Sequence, residues 1–365
     1  MNKLQQIALT QIKGVGPKTG RMLLECFGSP SNIFYATRAE LHNIPGLPKT
    51  TIDAILSKDC LHKAEEEMNF LEKNQIQLLW INDTEYPTLL KQCDDAPLIL
   101  YFKGQISQKL QKSISIVGTR NATPYGKRLC EDLISSLQGM DIQIVSGLAH
   151  GIDSYAHRAA LRHNIPTIGV LGHGLQMVYP AANRDLAAQM TYNGGVITEF
   201  SSTTKPERMH FPARNRIIAG MSHVTIVIEA AIKGGALITA EIANSYHRDV
   251  CAFPGAVGQT YSEGCNYLIK TNRAHLIRHA DDLIYIMGWE QTSKTKNIQL
   301  SLPTISLSAD EQKIYTFMAT KGHISFDDIA HAVNYPISKL SLILLQMEMN
   351  GHIISLPGKR YQIVK

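Results

Sequence analysis

Glycine, arginine and lysine recur together in short segments through the middle of this 365-residue sequence. Glycine lets a backbone approach a ligand closely, backbone amides donate hydrogen bonds to phosphate oxygens, and cationic side chains neutralise phosphate charge. The pattern therefore predicts a site that holds phosphate groups. The predicted contacts are Gly118, Thr119, Arg120, Lys127, Arg128, Ser146, Gly147, Arg214, Asn215, Arg216, Lys233, Gly234 and Gly235.

The same segments contain no known catalytic, metal-binding or cofactor-binding motif. The run after Gly118 is neither a Walker A loop nor a GxGxxG turn, so nucleotide hydrolysis and dinucleotide binding lose their usual support. His150, Asp153 and His157 lack a known ligand spacing, and capping and packing are the favoured roles for them. We expect no catalytic residue, no metal and no cofactor.

Arg214 and Arg216 are predicted to lie at the start of a helix. Cations there oppose the helix dipole unless an anion is bound, so this placement favours a phosphate ligand. Alternatively, at least one of the two arginines pairs with Glu199 or Glu229. We expect one arginine to bind the ligand and the other to be structural.

The elements that carry these residues alternate between apolar strands and helices. From Ser113 onward the strand-like runs are ISIVG, QIVSG, TIGVLG, GVITEF, VTIVIEA and VCAFPG. Such runs predict an α/β domain with a Rossmann-like, doubly wound, mostly parallel sheet. Ligands of such sheets bind at the carboxyl ends of the strands. The first strand-to-helix turn, with a helix amino terminus behind Arg120, is therefore predicted to form a phosphate cradle.

Helical segments flank this domain on both sides. Residues 1–65 repeat one hairpin motif, GVGPKT and PGLPKT, which predicts a helix-hairpin-helix (SAM-like) domain; its Lys18 and Lys49 either contact phosphate or are only solvated. Residues 66–111 form a connector that adds edge strands, residues 112–289 the Rossmann-like domain, and residues 290–303 a linker. Residues 304–365 predict a winged-helix domain.

The predicted recognition helix of the winged-helix domain, Ile337 to Asn350, contains Lys339 as its only cation. Major-groove binding relies on cationic and polar side chains, so protein contact or a structural role is favoured for this domain.

Composition allows a polyanionic partner without requiring one. The formal net charge is +5 and the isoelectric point about 8.7. The six cysteines are scattered and form no CxxC pair, which argues against a disulfide framework or a zinc ribbon. The amino-terminal segment lacks the apolar core of a secretory signal, and no stretch reaches the length of a membrane span. We expect a cytoplasmic protein without membrane contact.

From Pro87 to Gly288 the sequence resembles the DNA-processing protein A family, also called Smf. The resemblance depends on ordered motifs: IVGTR, SGLAHGIDSYAHRAAL, GVLGHGLQMVYPAAN, ITEF, FPARNRIIAG, GGALITAEIA, AFPG and EGCNYLI. It implies a non-enzymatic homodimer that binds and protects incoming single-stranded DNA in natural transformation and recombination, and helps to load RecA recombinase. Arg120, Arg214, Arg216 and Lys233 match the family's arginine and lysine positions.

Two departures from the family pattern lie at the expected edge of the pocket. Asn272, Arg273 and Ala274 stand where relatives usually have Gly-Ala, and the glycine turn reads GGAL where SGSL is common. Tyr179 and Phe211 are candidate stacking platforms for bases, although aromatic residues are more often core.

Other functions are less well supported by the residues. The sheet also resembles lysine-decarboxylase-like phosphoribohydrolases, which cleave nucleoside monophosphates, but their PGGxGTxxE signature is absent. A sequence-specific regulator acting through the winged helix is disfavoured by that domain's small positive charge. A two-metal nuclease is disfavoured because no tight carboxylate cluster is visible.

Overall fold

A computed structural model describes residues 3–105, 112–289, 307–319, 324–356 and 358–363. The chain divides into two compact units, residues 1–291 and residues 292–365. Among the described residues, no helix has the length and apolar character needed to cross a bilayer. The predicted linker at 290–303 lies outside the described residues.

The first unit begins with six helices joined by short turns. They are α1 (Lys3–Gln11), α2 (Pro17–Phe27), α3 (Pro30–Tyr35), α4 (Arg38–His42), α5 (Lys49–Ser57) and α6 (Cys60–Lys73). The two repeated hairpin motifs lead into α2 and α5 and pack against each other. Gly14 has a φ of +88°, and a Cβ there would collide with the Thr51 side chain of the second hairpin. Lys18 and Lys49 remain exposed.

A nine-stranded sheet follows, in the order β1-β2-β6-β5-β4-β3-β7-β8-β9. The strands are β1 (Gln77–Trp80), β2 (Ile99–Gly104), β3 (Lys112–Val117), β4 (Ile142–Ser146), β5 (Thr167–Val170), β6 (Gly194–Thr198), β7 (Val224–Val227), β8 (Asp249–Ala252) and β9 (His275–Leu276). Strands β1 and β2 are antiparallel additions at one end, and β3 to β9 pair in parallel. The predicted Rossmann-like, mostly parallel sheet is confirmed.

Helices cover both faces of the sheet. They are α7 (Thr88–Lys91), α8 (Pro124–Ser136), α9 (Ile152–Arg162), α10 (Arg184–Met190), α11 (His210–Gly220), α12 (Gly235–Ser245), α13 (Glu263–Lys270) and α14 (Ala280–Ile286), with a 3₁₀ turn at Ala181–Asn183. Side chains alternate along β3, so Ile114 and Ile116 pack with α8, α9 and α14. Val117 belongs to the opposite core, with α11, α12 and the amino-terminal helices.

The amino-terminal helices share their core with the sheet. Gly20 of α2 packs closely against Leu98, just before β2. Glu67 of α6 accepts hydrogen bonds from the backbone amide (2.9 Å) and the hydroxyl (2.8 Å) of Ser202, in the loop after β6. Helix α6 also runs through the predicted boundary between residues 65 and 66. The helical segment and the sheet therefore form one compact unit.

The second unit is a winged helix, as predicted. Its elements are α15 (Ala309–Ala319), β10 (Ile324–Ser325), α16 (Phe326–Val333), α17 (Ile337–Met349), β11 (Ile353–Leu356) and β12 (Arg360–Ile363). Helix α17 coincides with the predicted recognition helix. The Nζ atom of Lys339 lies 2.7 Å from Oδ2 of Asp310, so the single cation of this helix has an acidic partner.

Candidate nucleic-acid interface

A cleft of about 290 Å³ opens at the carboxyl end of the sheet, where the strand order reverses. Strand β3 lies between β4 and β7, and the helices that follow β3 and β7 cover opposite faces of the sheet. This is the position at which open α/β sheets bind ligands. The predicted contact residues that line the cleft are Gly118, Thr119, Arg120, Arg214, Asn215, Gly234 and Gly235.

The turn after β3 is fixed by backbone hydrogen bonds to both sides. The Thr119 amide donates to the carbonyl of Glu229 (2.7 Å), and the Ile152 amide donates to the carbonyl of Thr119 (3.1 Å). Gly151, with a φ of +76°, lies against the Arg120 backbone where a Cβ would collide. The backbone of Arg120 is therefore held rigidly while its side chain stays exposed at the mouth of the cleft.

The amino terminus of α8, where the phosphate cradle is predicted, lies beside the Glu229 carboxylate. The Glu229 carboxylate, 4% exposed, accepts hydrogen bonds from the Thr123 amide (2.9 Å) and hydroxyl (2.5 Å). The Thr123 hydroxyl also caps α8 by accepting from the Gly126 amide. The protein's own carboxylate therefore lies beside this terminus, and the phosphate cradle stays a prediction.

The amino terminus of α12 faces the cleft. Gly234 is the N-cap residue, and both Gly234 and Gly235 line the cleft. A Cβ at Gly235 would meet open space, so this turn is accessible. The first amides of a helix have no acceptor within the helix and can bind an anion. The exposed Lys233 stands immediately before them.

Arg214 is buried beneath the cleft. It lies in the second turn of α11, which begins at His210, so the predicted conflict with the helix dipole does not exist. Its Nη1 donates to the carbonyls of Gly147 and Val170 (2.6 Å to Val170) at the ends of β4 and β5. Burial lowers the pKa of Arg214 to about 10, so the side chain remains charged at neutral pH. Burial raises the pKa of Asp153, and the Arg214 charge opposes that shift.

Arg216 also has an internal partner. Its guanidinium pairs with the Glu199 carboxylate, and both side chains are about 85% buried. Burial raises the pKa of Glu199, and the Arg216 charge acts in the opposite direction. The alternative in which an arginine pairs with Glu199 is confirmed. From the sequence, one arginine is expected to bind the ligand and the other to be structural. In the structure, both guanidinium groups contact acceptors within the protein.

Arginine and aromatic side chains form a row at the mouth of the cleft. The Arg120 guanidinium carbon lies 5.7 Å from the centroid of the Phe211 ring. The Phe211 and Tyr179 rings are 6.1 Å apart, and Tyr179 is 48% exposed. Neither aromatic residue belongs to the buried core. Arg120, Phe211 and Tyr179, which we name the aromatic row, offer one cation and two accessible rings.

Other predicted contacts do not line the cleft. Lys127 and Arg128 lie on α8, and the Lys127 amine is 4.9 Å from the centroid of the Tyr155 ring on α9. The Ser146 hydroxyl is buried and donates to the Ile116 carbonyl (2.6 Å). Gly147 lies against the Arg214 guanidinium and the Asp153 carboxylate. Ser146 and Gly147 therefore shape the floor beneath the cleft.

His150, Asp153 and His157 do not converge on a metal site. No group of three or more candidate metal ligands occurs among the described residues. The Ala149 amide donates to Asp153 (3.4 Å) near the start of α9, and His157 is fully buried with its Nδ1 2.7 Å from the Thr167 hydroxyl. His157 thus packs inside the fold, and Asp153 bonds the loop before α9 without capping the helix. His150 is exposed beside the cleft.

We expect His157 to make the first unit sensitive to acid. Burial lowers the pKa of His157 from 6.5 to about 3, so below pH 6.5 the unfolded chain binds a proton that the folded chain excludes. Stability is therefore lost as the pH falls through this window. Between pH 6.5 and about pH 5, both proteins should lose unfolding free energy. The wild type should lose about 1.5–2 kcal/mol more than a His157→Asn variant. Urea unfolding at both pH values measures this, with exposed His150→Asn as the control. Parallel pH profiles for wild type and His157→Asn would contradict the prediction.

Residues 77–288 match the family model described as DNA recombination-mediator protein A. This chain belongs to that family. Residues 7–58 match a SAM-like helix-hairpin-helix tandem and residues 300–359 the DprA winged-helix domain, which agrees with the fold predicted for both flanking segments. Protein Smf from Synechocystis sp. is 34% identical over 98% of this chain and 97% of its own length. The DNA processing protein DprA of Streptococcus pneumoniae is 40% identical over 56% of this chain and 72% of its own.

Two solved structures support the same assignment. DprA from Streptococcus pneumoniae superposes with a TM-score of 0.68 and 31% identity, over 78% of this chain and 98% of that one. DprA from Helicobacter pylori superposes with a TM-score of 0.53 and 27% identity, over 59% of this chain and 96% of that one. The second structure concerns the single-stranded DNA binding mode of the Helicobacter pylori protein. The family assignment thus agrees with the fold.

The role of Glu229 was not predicted. From the sequence this residue is expected only as a partner for an arginine, whereas the structure shows it accepting two hydrogen bonds from Thr123, the N-cap residue of α8. The available signal was a single acidic residue directly after the apolar run VTIVI. A carboxylate at a strand end needs hydrogen-bond donors when it is buried, and the turn after the neighbouring strand supplies them.

Proposed function

We propose that this chain binds single-stranded DNA at the cleft and does so without catalysing a reaction. The observation that carries the proposal is the aromatic row beside the open amino terminus of α12. Arg120, Lys233 and the amides after Gly234 bind the sugar-phosphate backbone, while Phe211 and Tyr179 stack on bases. Backbone contacts and stacking tolerate most sequences, so binding is sequence-independent and sensitive to salt.

Within this proposal the chain acts in natural transformation and recombination. It protects incoming DNA, helps to load RecA recombinase and works as a homodimer, as the resemblance to its family implies. Membership in a family of recombination mediators and the single-stranded DNA binding mode of the Helicobacter pylori relative support this role. Arg214 contributes its buried positive charge from beneath the cleft, together with Asn215 at the lining.

A nucleotide-cleaving activity has weaker support. In a Rossmann-like sheet the phosphate of a nucleotide binds at the helix that follows the first parallel strand. In this chain the Glu229 carboxylate holds that helix terminus, and a second anion there would meet a like charge.

The test is fluorescence anisotropy of a labelled oligonucleotide, single-stranded and duplex, across a salt series. We expect the wild type to prefer the single strand. The double variant Arg120→Ala/Lys233→Ala should bind more weakly, with a log-log salt slope shallower by about 1.4, because each lost phosphate contact removes about 0.7 for a single strand.

The control for this test is Lys73→Ala/Lys103→Ala, which removes two exposed cations outside the cleft. Equal and weak binding of both DNA forms by all three proteins would overturn the proposal. Release of a free base from nucleoside monophosphates by the wild type would favour the phosphoribohydrolase alternative instead.

A further inference from the structure

A second cationic site lies in the groove between α8 and α9, outside the cleft. The Lys127 amine is 4.9 Å and the Arg158 guanidinium carbon 6.0 Å from the centroid of the Tyr155 ring. Arg158 is exposed and Lys127 partly exposed. Among the described residues, neither cation lies within 4 Å of a carboxylate oxygen. Both charges therefore remain available to an external anion.

The groove begins beside the Arg120 turn, which lies at the mouth of the cleft. Gly151, just before α9, touches the Arg120 backbone. Tyr155 and Arg158 follow four and seven positions later, a spacing that places all three residues on one face of the helix. At a rise of 1.5 Å per residue, Arg158 lies about 10 Å along the helix from the Arg120 turn. Lys127 of α8 faces the same stretch of groove.

The far end of the groove is electrically neutral. Glu131 of α8 pairs with Arg162 of α9, and its Oε1 atom lies 2.9 Å from Nε2 of His163. These contacts lower the pKa of Glu131, chiefly through the Arg162 hydrogen bond, so the carboxylate stays ionised. The available cations in the groove therefore lie between Arg120 and Arg158.

We propose that a single DNA strand leaving the cleft past Arg120 continues along the α8/α9 groove, with its backbone phosphates bound by Lys127 and Arg158. The Tyr155 ring holds both cations in place by cation–π contacts. This inference rests on the proposed function. It adds a path for the bound DNA strand and a dependence of affinity on oligonucleotide length. A short oligonucleotide fills only the cleft, whereas a longer one also reaches the groove.

The test uses the full chain and oligothymidylates of about 4 and about 16 nucleotides, the range of site sizes known for single-strand binding folds. Anisotropy titrations across a salt series compare four proteins: wild type, Lys127→Ala/Arg158→Ala, Arg120→Ala and the control Lys73→Ala/Lys103→Ala. For the longer oligonucleotide, the groove variant should have a log-log salt slope shallower than the control's by about 1.4. For the shorter one, its affinity should equal the control's.

The remaining outcomes separate this inference from the proposed function. If Arg120→Ala weakens both lengths while the groove variant behaves like the control on the longer strand, the cleft stands and the path is wrong. The path is also wrong if the groove variant loses affinity equally for both lengths. If Arg120→Ala binds both lengths as the wild type does, the proposed cleft fails, and the inference with it.

Discussion

Replacing Arg214 with methionine is expected to lower the free energy of unfolding by about 3–5 kcal/mol. Arg214 is 5% exposed, and its guanidinium donates to the carbonyls of Gly147 and Val170. Methionine fills part of the volume but supplies neither hydrogen bonds nor charge. The buried Asp153 carboxylate then loses the positive charge that stabilises its ionised form. Urea unfolding of the purified chain, followed by circular dichroism, measures the change.

Two further variants assign the effect of Arg214→Met to the lost buried charge. Arg208→Met removes an exposed arginine just before α11 and should change stability by less than about 0.5 kcal/mol. Adding Asp153→Asn to Arg214→Met removes the uncompensated carboxylate and should restore part of the loss. If Arg214→Met were as stable as Arg208→Met, the scaffold role of Arg214 would be disproved.

Replacing Phe211 or Tyr179 with alanine is expected to weaken single-stranded DNA binding without changing its salt dependence. Base–aromatic stacking contributes about 1–3 kcal/mol per base. Its loss should make the dissociation constant roughly 5- to 150-fold larger. No phosphate contact is removed, so the log-log salt slope should match that of the wild type. Anisotropy titrations at several salt concentrations measure both quantities.

Tyr192→Ala is the matched control for the stacking variants, because Tyr192 is 78% exposed and lies after α10, away from the residues that line the cleft. It should bind DNA as the wild type does. A shallower salt slope in Phe211→Ala would show that the ring acts by positioning Arg120, which it contacts, and not by stacking. Unchanged affinity in both aromatic variants would remove stacking from the proposed function.

Local sequence patterns were sufficient to predict the architecture. Apolar runs such as ISIVG and VTIVIEA are buried on both faces of a parallel sheet, so their composition identifies the strands without knowledge of their neighbours. The carboxyl ends of parallel strands meet at one edge, which is why Arg120 and Gly234 could be assigned to one cleft from the sequence. The winged helix was likewise predicted from the order of its helices and strands.

Tertiary structure alone decided which polar groups the protein uses internally. Arg214 and Arg216 appear equivalent in the sequence, yet one binds the strand-end carbonyls and the other pairs with Glu199. Arg214 contacts Gly147 across 67 positions, and Thr123 contacts Glu229 across 106. A buried charge must find a partner, but the sequence does not specify which distant group the fold brings within reach. The sequence therefore determined the sheet and the edge at which the cleft opens. The three-dimensional packing determined which cations at that edge have no hydrogen-bond acceptor within the described part of the protein.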